Sequence, residues 1–173
     1  MPYSTKNGFT LFELIVVITI IAIFATIALP HFNNLMAERE AKNVKATLLS
    51  MNHLARNNAA LYHSNVVICP SVDQQQCLAN SWNTGFILFI DTNKNRRVDA
   101  NEKILHQEQL NLKYGDLNWR GTLRIPSLTF QAGYGLPNGS NGSFYYCSKT
   151  SVQHIRILLS KMGQIRFENP ASC

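Results

Sequence analysis

A single carboxylate inside an apolar run is the most chemically loaded feature of this sequence. Residues 9–29 read FTLFELIVVITIIAIFATIAL, and Glu13 is their one charged side chain. As a helix the run would span about 30 Å, the thickness of a bilayer's hydrocarbon core. An ionised carboxylate near the start of such a helix costs a few kcal/mol unless it is neutralised or paired, so Glu13 calls for a cationic partner.

Two other groups of residues could bind or react. Asp91, Asn93, Asn95, Asp99 and Glu102 fall at positions 1, 3, 5, 9 and 12 of a calcium loop. Against that reading, Arg96 stands where glycine would permit the sharp turn, and Arg97 adds a second positive charge. A β-hairpin loop whose Asp and Asn side chains satisfy backbone amides, opened by Asp91, is preferred over a metal site. The four cysteines fit an oxidising compartment and allow three pairings. Cys69 and Cys77 close a short loop, leaving Cys147 on a strand and Cys173 to tie down the tail. The pairing Cys69–Cys77 with Cys147–Cys173 is therefore favoured over a zinc site, which lacks CxxC pairs. His31, His53, His63, His106 and His154 are dispersed, and no HExxH, GxSxG or glycine-rich phosphate loop is present. The expectation is a protein that is not an enzyme and has no cofactor.

The elements that carry these residues can be read from patterning. The leader, residues 1–8, is polar and carries Lys6 and the amino group, so the positive-inside tendency holds it in the cytoplasm and exports the chain beyond the helix. A cleaved secretory signal would have a shorter apolar core followed by a small-residue site, and neither is present. Pro30 removes one backbone donor and predicts a bend or flexible joint at the membrane exit. Beyond it Ala37, Ala41, Val44, Leu48, Met51 and Ala55 form one helical stripe, predicting an amphipathic helix to about Tyr62. Glu38, Arg39, Lys42, Lys45 and Arg56 are assigned to its solvated face. The remaining chain alternates short β-type segments with turns, at residues 85–90, 103–110, 122–130, 143–149 and a 155–159/164–167 hairpin. The predicted organisation is a leader (1–8), a transmembrane helix (9–29), an amphipathic half-helix (30–63) and a β-rich head (64–173). The fold class is α+β: a long N-terminal helix packed on an antiparallel sheet.

The stretch Lys6-Asn7-Gly8-Phe9-Thr10-Leu11-Phe12-Glu13-Leu14 resembles the N-terminal signal of type IV pilins and type II secretion pseudopilins. The resemblance implies cutting between Gly8 and Phe9 by prepilin peptidase and methylation of the new Phe9 amine. It also implies assembly through Glu13, whose carboxylate pairs with that amine on a neighbouring subunit. In the head, GFILFIDTNKNRRVDANEKIL from Gly85 resembles the GspH/FimT group, and the segments at Phe130, Gly142 and Gly163 keep that group's order. The implied fold is that of a type IV pilin. The implied role is a minor pilin of FimT- or FimU-like type, assembling with other minor and major pilins to prime or support the pilus. The type II secretion pseudopilin H stands as an alternative. The implied location is the inner membrane, single-pass with a periplasmic head, and then the filament.

Charge raises a second function. Lys and Arg number 16 against 10 Asp and Glu, and pI is near 9.3. Lys113, Arg120, Arg124, Lys149, Arg156, Lys161 and Arg166 face only Asp116 and Glu168 in the last third of the chain. A basic surface suggests an anionic partner. FimT-like pilins bind DNA in natural transformation and carry a Gly-Arg-x-Arg motif. Here it reads Gly163-Gln164-Ile165-Arg166, with the first arginine replaced. The expected set is Arg156, Lys161 and Arg166, with Arg156 beside Arg166, contacting phosphates of double-stranded DNA without reading bases. Ile165 and Phe167 would then point into the core.

Overall fold

The computed structural model describes residues 10–173. Gly8 and Phe9 lie outside them. The chain forms two compact units, one ending at Met36 and one from Ala37 to Cys173. A single helix, α1 (Leu11–Leu61), enters both and carries Pro30 inside it without being ended by it.

The first unit is apolar and uncovered. Leu11, Phe12, Ile21, Phe24 and Leu29 are all exposed, as are most of their neighbours, and the stretch is long and apolar enough to cross a membrane. Thr19 and Thr26 donate their hydroxyls to the carbonyls of Val16 and Ile23, so neither presents an unpaired polar group to an apolar surrounding.

The second unit packs the other half of α1 against two four-stranded antiparallel sheets. The first has the order β3-β2-β1-β5, with β1 (Asn65–Pro70), β2 (Gly85–Asp91), β3 (Ile104–Gln109) and β5 (Leu128–Phe130). The second has the order β4-β6-β7-β8, with β4 (Gly115–Gly121), β6 (Gly142–Ser148), β7 (Ile155–Leu159) and β8 (Ile165–Glu168). The helical stripe from Ala37 to Ala55, extended by Ala59, is buried throughout, and from Ala41 onward it shares one core with Val66, Ile68, Phe86, Leu88, Phe144, Tyr146 and Ile157. Burial of Val44, Leu48 and Met51 contributes about 1.5–3 kcal/mol each. The alanines on either side of them, Ala37, Ala41, Ala55 and Ala59, let the helix backbone come close to the sheets. The other face of β1 and β2 is buried too, where Val67, Cys69, Ile87 and Phe89 lie under Cys77, Val98 and Ile104. Burial on both faces explains why residues 85–90 read as a continuous apolar run.

Three sequence expectations are corrected. Residues 65–70 and 115–121 form strands although neither segment is among those expected from patterning. NVVICP comes directly after the helix with no turn cluster to announce it, and GDLNWRG has little β propensity and is a strand because all seven residues pair with β6. Of residues 122–130 only Leu128–Phe130 is strand; Thr122–Arg124 is a tight turn. Lys45 and Arg56 are half-buried rather than solvated: the Lys45 ammonium lies 5.5 Å from the centre of the Phe167 ring, and Arg56 reaches the Gly163 carbonyl.

Disulfides join Cys69 to Cys77 and Cys147 to Cys173. The first closes the loop between β1 and β2, where the Asp73 carboxylate accepts the backbone N–H groups of Gln75 and Gln76. Those bonds, the one from Gln75 first, hold its pKa below the usual carboxylate value.

Candidate functional site

The N-terminal end of the helix begins with a cap. Thr10 precedes the first helical residue, its Oγ1 accepts the N–H of Glu13 at 3.3 Å, and its carbonyl accepts the N–H of Leu14. Thr-x-x-Glu is a capping-box pattern, so Thr10 defines where the helix starts and Glu13 occupies its third position. A carboxylate there is favoured by the helix dipole. Among the described residues it meets no cation, so the carboxylate is free to pair with a group from outside. The partner expected from sequence, the Phe9 amine, lies outside the described residues.

The calcium-like loop folds on itself. Asp91 is buried, and its carboxylate accepts the N–H groups of Asn95 and Arg96, both at 3.1 Å. Asn93 and Asn95 each donate a side-chain N–H to Asp99 at 2.7 Å, and Glu102 accepts the N–H groups of Thr92 and Asp99. Arg96 makes the turn in the left-handed region at φ 60°. Among the described residues, no group of three or more His, Cys, Asp or Glu is placed to hold a metal.

Arg120, Arg156 and Arg166 lie on the face of the second sheet turned away from the helix. The strand registers set two rows there. One reads Asn118, Tyr145, Arg156, Glu168; the other reads Arg120, Ser143, Leu158, Arg166. Arg156 therefore stands opposite Glu168, not Arg166, which is its diagonal neighbour. Its Nη1 donates to Glu168 at 3.1 Å and its Nε to Ser143 Oγ at 3.1 Å. Glu168 thereby neutralises much of the charge expected to face an anion. Lys161 is exposed in the turn between β7 and β8. On the opposite face, Ile165 packs against the core, but Phe167, on the edge strand β8, is 44% exposed, with the Lys45 ammonium over its ring.

Gly163, the first residue of the Gly-Gln-Ile-Arg segment, has a structural role. Its φ is +72°, and its carbonyl accepts the Asn52 amide at 3.1 Å and lies 3.5 Å from Arg56 Nη1. It joins the hairpin turn to the helix.

Two features escape a sequence reading. Arg120 stacks on Tyr145, with its guanidinium carbon 4.4 Å from the ring centre. No motif marks that pair, which exists only through the β4–β6 register. Glu40 is the second. Its carboxylate accepts the Tyr146 hydroxyl at 2.8 Å and the N–H groups of Lys113 and Tyr114 at 2.8 and 3.0 Å. It lies three residues after Ala37 and four before Val44, inside the apolar stripe, so the logic that isolates Glu13 also isolates it. Burial, and then the Glu40 carboxylate, push the Tyr146 pKa far above the usual tyrosine value.

The family model described as type II transport protein GspH matches residues 46–163, well over half of the chain. This chain belongs to the GspH family. The model of the prokaryotic N-terminal methylation motif matches residues 3–29. No curated protein matches the chain. Among solved structures, the type IV minor pilin FimU of Pseudomonas aeruginosa is similar with a TM-score of 0.58 at 17% identity, covering 79% of this chain and 96% of that one. The minor pseudopilin EpsH of the Vibrio cholerae type 2 secretion system is similar with a TM-score of 0.51 at 15% identity, covering 77% and 99%. A type IV prepilin-like N-terminus followed by a GspH head makes this GspH-family chain a minor pilin or pseudopilin, with the pilin-like fold of both relatives.

Proposed function

We propose that this GspH-family chain is a minor pilin of a type IV pilus. Prepilin peptidase cuts it between Gly8 and Phe9. The helix holds it in the inner membrane with its head in the periplasm, and it then enters the filament to prime or support assembly with other pilins. The observation that carries this reading is the capped helix start with Glu13, whose carboxylate meets no cation among the described residues, at the head of an uncovered apolar segment. An apolar surface of that extent needs lipid or neighbouring helices around it. A carboxylate within it needs a cation, which a neighbour's amine would supply. Contact with double-stranded DNA through Lys161 and Arg166 is less well supported, because Glu168 already neutralises Arg156 and Gln164 replaces an arginine.

The test is Glu13→Ala, and separately Glu13→Gln, in cells that make pili. Both variants should remain in the inner-membrane fraction while their signal in sheared filaments falls at least about tenfold, the loss expected when a buried charge pair is left half-made. Wild-type levels of Glu13→Ala in filaments would refute the assembly role.

A further inference from the structure

The outer face of the second sheet carries a groove lined on one side by Arg120 and Thr122, on another by Asn141 and Ser143, and at its far end by Arg156 and Ser160. Gly121 and Gly142 stand opposite each other at its edge, where β4 ends and β6 begins. A Cβ on Gly142 would come within 2.4 Å of the Arg120 carbonyl, so no larger residue fits. No carboxylate lines the groove, and the adjacent one, Glu168, is bonded to Arg156. Arg120 differs from Arg156 in that its side chain has no hydrogen bond or ion pair among the described residues. Its guanidinium lies on the Tyr145 ring, which orients it and leaves its N–H edge open. Such an edge matches a carboxylate or phosphate in two-point fashion.

The rim decides between those two chemistries. Directly after Thr122, Leu123 and Arg124 both hold positive φ, 57° and 55°, and Leu123 is 85% exposed. Two consecutive non-glycine residues in the left-handed region cost about 1–2 kcal/mol each. The turn is held by Thr122 bonding to the Asn141 carbonyl and by Trp119 Nε1 donating to the Ile125 carbonyl. It therefore displays a leucine to solvent at a backbone cost. A phosphate backbone has no use for a leucine beside its arginine, whereas a polypeptide can bury the leucine and pair the arginine at once.

We infer that this groove docks an acidic segment of another pilin subunit's head, with a carboxylate on the Arg120 guanidinium and an apolar side chain against Leu123. The inference rests on the assembly reading above. It requires no bond to be made or broken.

The test places a photo-crosslinking phenylalanine at Leu123 in the full-length chain in pilus-forming cells, with and without Arg120→Glu. Sheared filaments are collected and the linked peptide is identified by mass spectrometry. The expected adduct is an Asp- or Glu-containing segment of another pilin. Arg120→Glu should lower its yield about tenfold, in line with a well-placed arginine contact. Reversing the partner's carboxylate to arginine should restore it. Arg120 is exposed, so an unchanged melting temperature of the variant excludes misfolding as the cause. An adduct to a segment without carboxylates, or a yield indifferent to Arg120→Glu, overturns the inference. So does retardation of duplex DNA by the detergent-solubilised wild type that Arg120→Glu abolishes. Absence of the wild-type chain from filaments would instead overturn the assembly reading, so the two failures are distinguishable.

Discussion

Replacing Glu40 should destabilise the head more than any other substitution of an acidic side chain on α1. Its carboxylate receives the fully buried Tyr146 hydroxyl and two backbone N–H groups that precede β4, so it ties the helix to the second sheet. A hydrogen bond to a charged acceptor contributes about 1.5–3 kcal/mol, and an orphaned buried donor costs about 1–3 kcal/mol. The Lys113 and Tyr114 amides are near the surface and water can replace the carboxylate there, so most of the loss comes from Tyr146. Glu40→Ala should therefore cost about 3 kcal/mol. Tyr146→Phe should cost about 1–2 kcal/mol, because Glu40 keeps its backbone donors. The double variant should cost less than the sum by about 1–2 kcal/mol, since each single change removes the same bond. For a unit of about 140 residues, 3 kcal/mol corresponds to a melting shift of about 10 °C. Thermal unfolding of residues 37–173 followed by circular dichroism measures all three variants. A Glu40→Ala shift below about 2 °C, or strictly additive effects, would refute the reasoning that this carboxylate is the polar anchor of the helix.

Three further outcomes are expected from the same geometry. The folded-state pKa of Tyr146 is raised, so its contribution to stability should be constant below the ordinary tyrosine pKa of about 10 and decline above it, by at most about 1.4 kcal/mol per pH unit; the gap in unfolding free energy between wild type and Tyr146→Phe, measured by urea titration across that window, should narrow as pH rises. Breaking the Cys147–Cys173 bridge with Cys173→Ser opens a loop whose ends are 26 residues apart, for an expected loss of about 3.5 kcal/mol, whereas Cys77→Ser opens one of 8 and should cost about 2.5 kcal/mol; equal denaturation midpoints for the two variants would contradict this order. Gly163→Ala should cost about 1–2 kcal/mol, because its φ is +72° and the new Cβ would meet Arg56 and Pro137 at 3.2–3.3 Å; chemical denaturation of the variant tests this, and a neutral result would remove the structural role assigned to that glycine.

Local patterns made the fold class, the helix and its buried stripe legible in the sequence. Ala37, Ala41, Val44, Leu48, Met51 and Ala55 are spaced by the helix itself, and the apolar segment around Glu13 is a matter of length and hydropathy within one element. The 155–159/164–167 hairpin is equally local, since a four-residue turn joins its strands. The features that escaped the sequence depend on which distant residues become neighbours. β4 is a strand because β6 supplies partners for its backbone, not because GDLNWRG favours extended structure. Arg156 meets Glu168, and Arg120 meets Tyr145, because register places them together across strands whose spacing along the chain says nothing of it. Phe167 remains half-exposed because β8 is the edge strand of its sheet, with no further strand beside it. Periodicity determined which side of the helix is apolar; only the sheet registers decided that Glu168 neutralises Arg156 and that the Arg120 guanidinium lies on Tyr145.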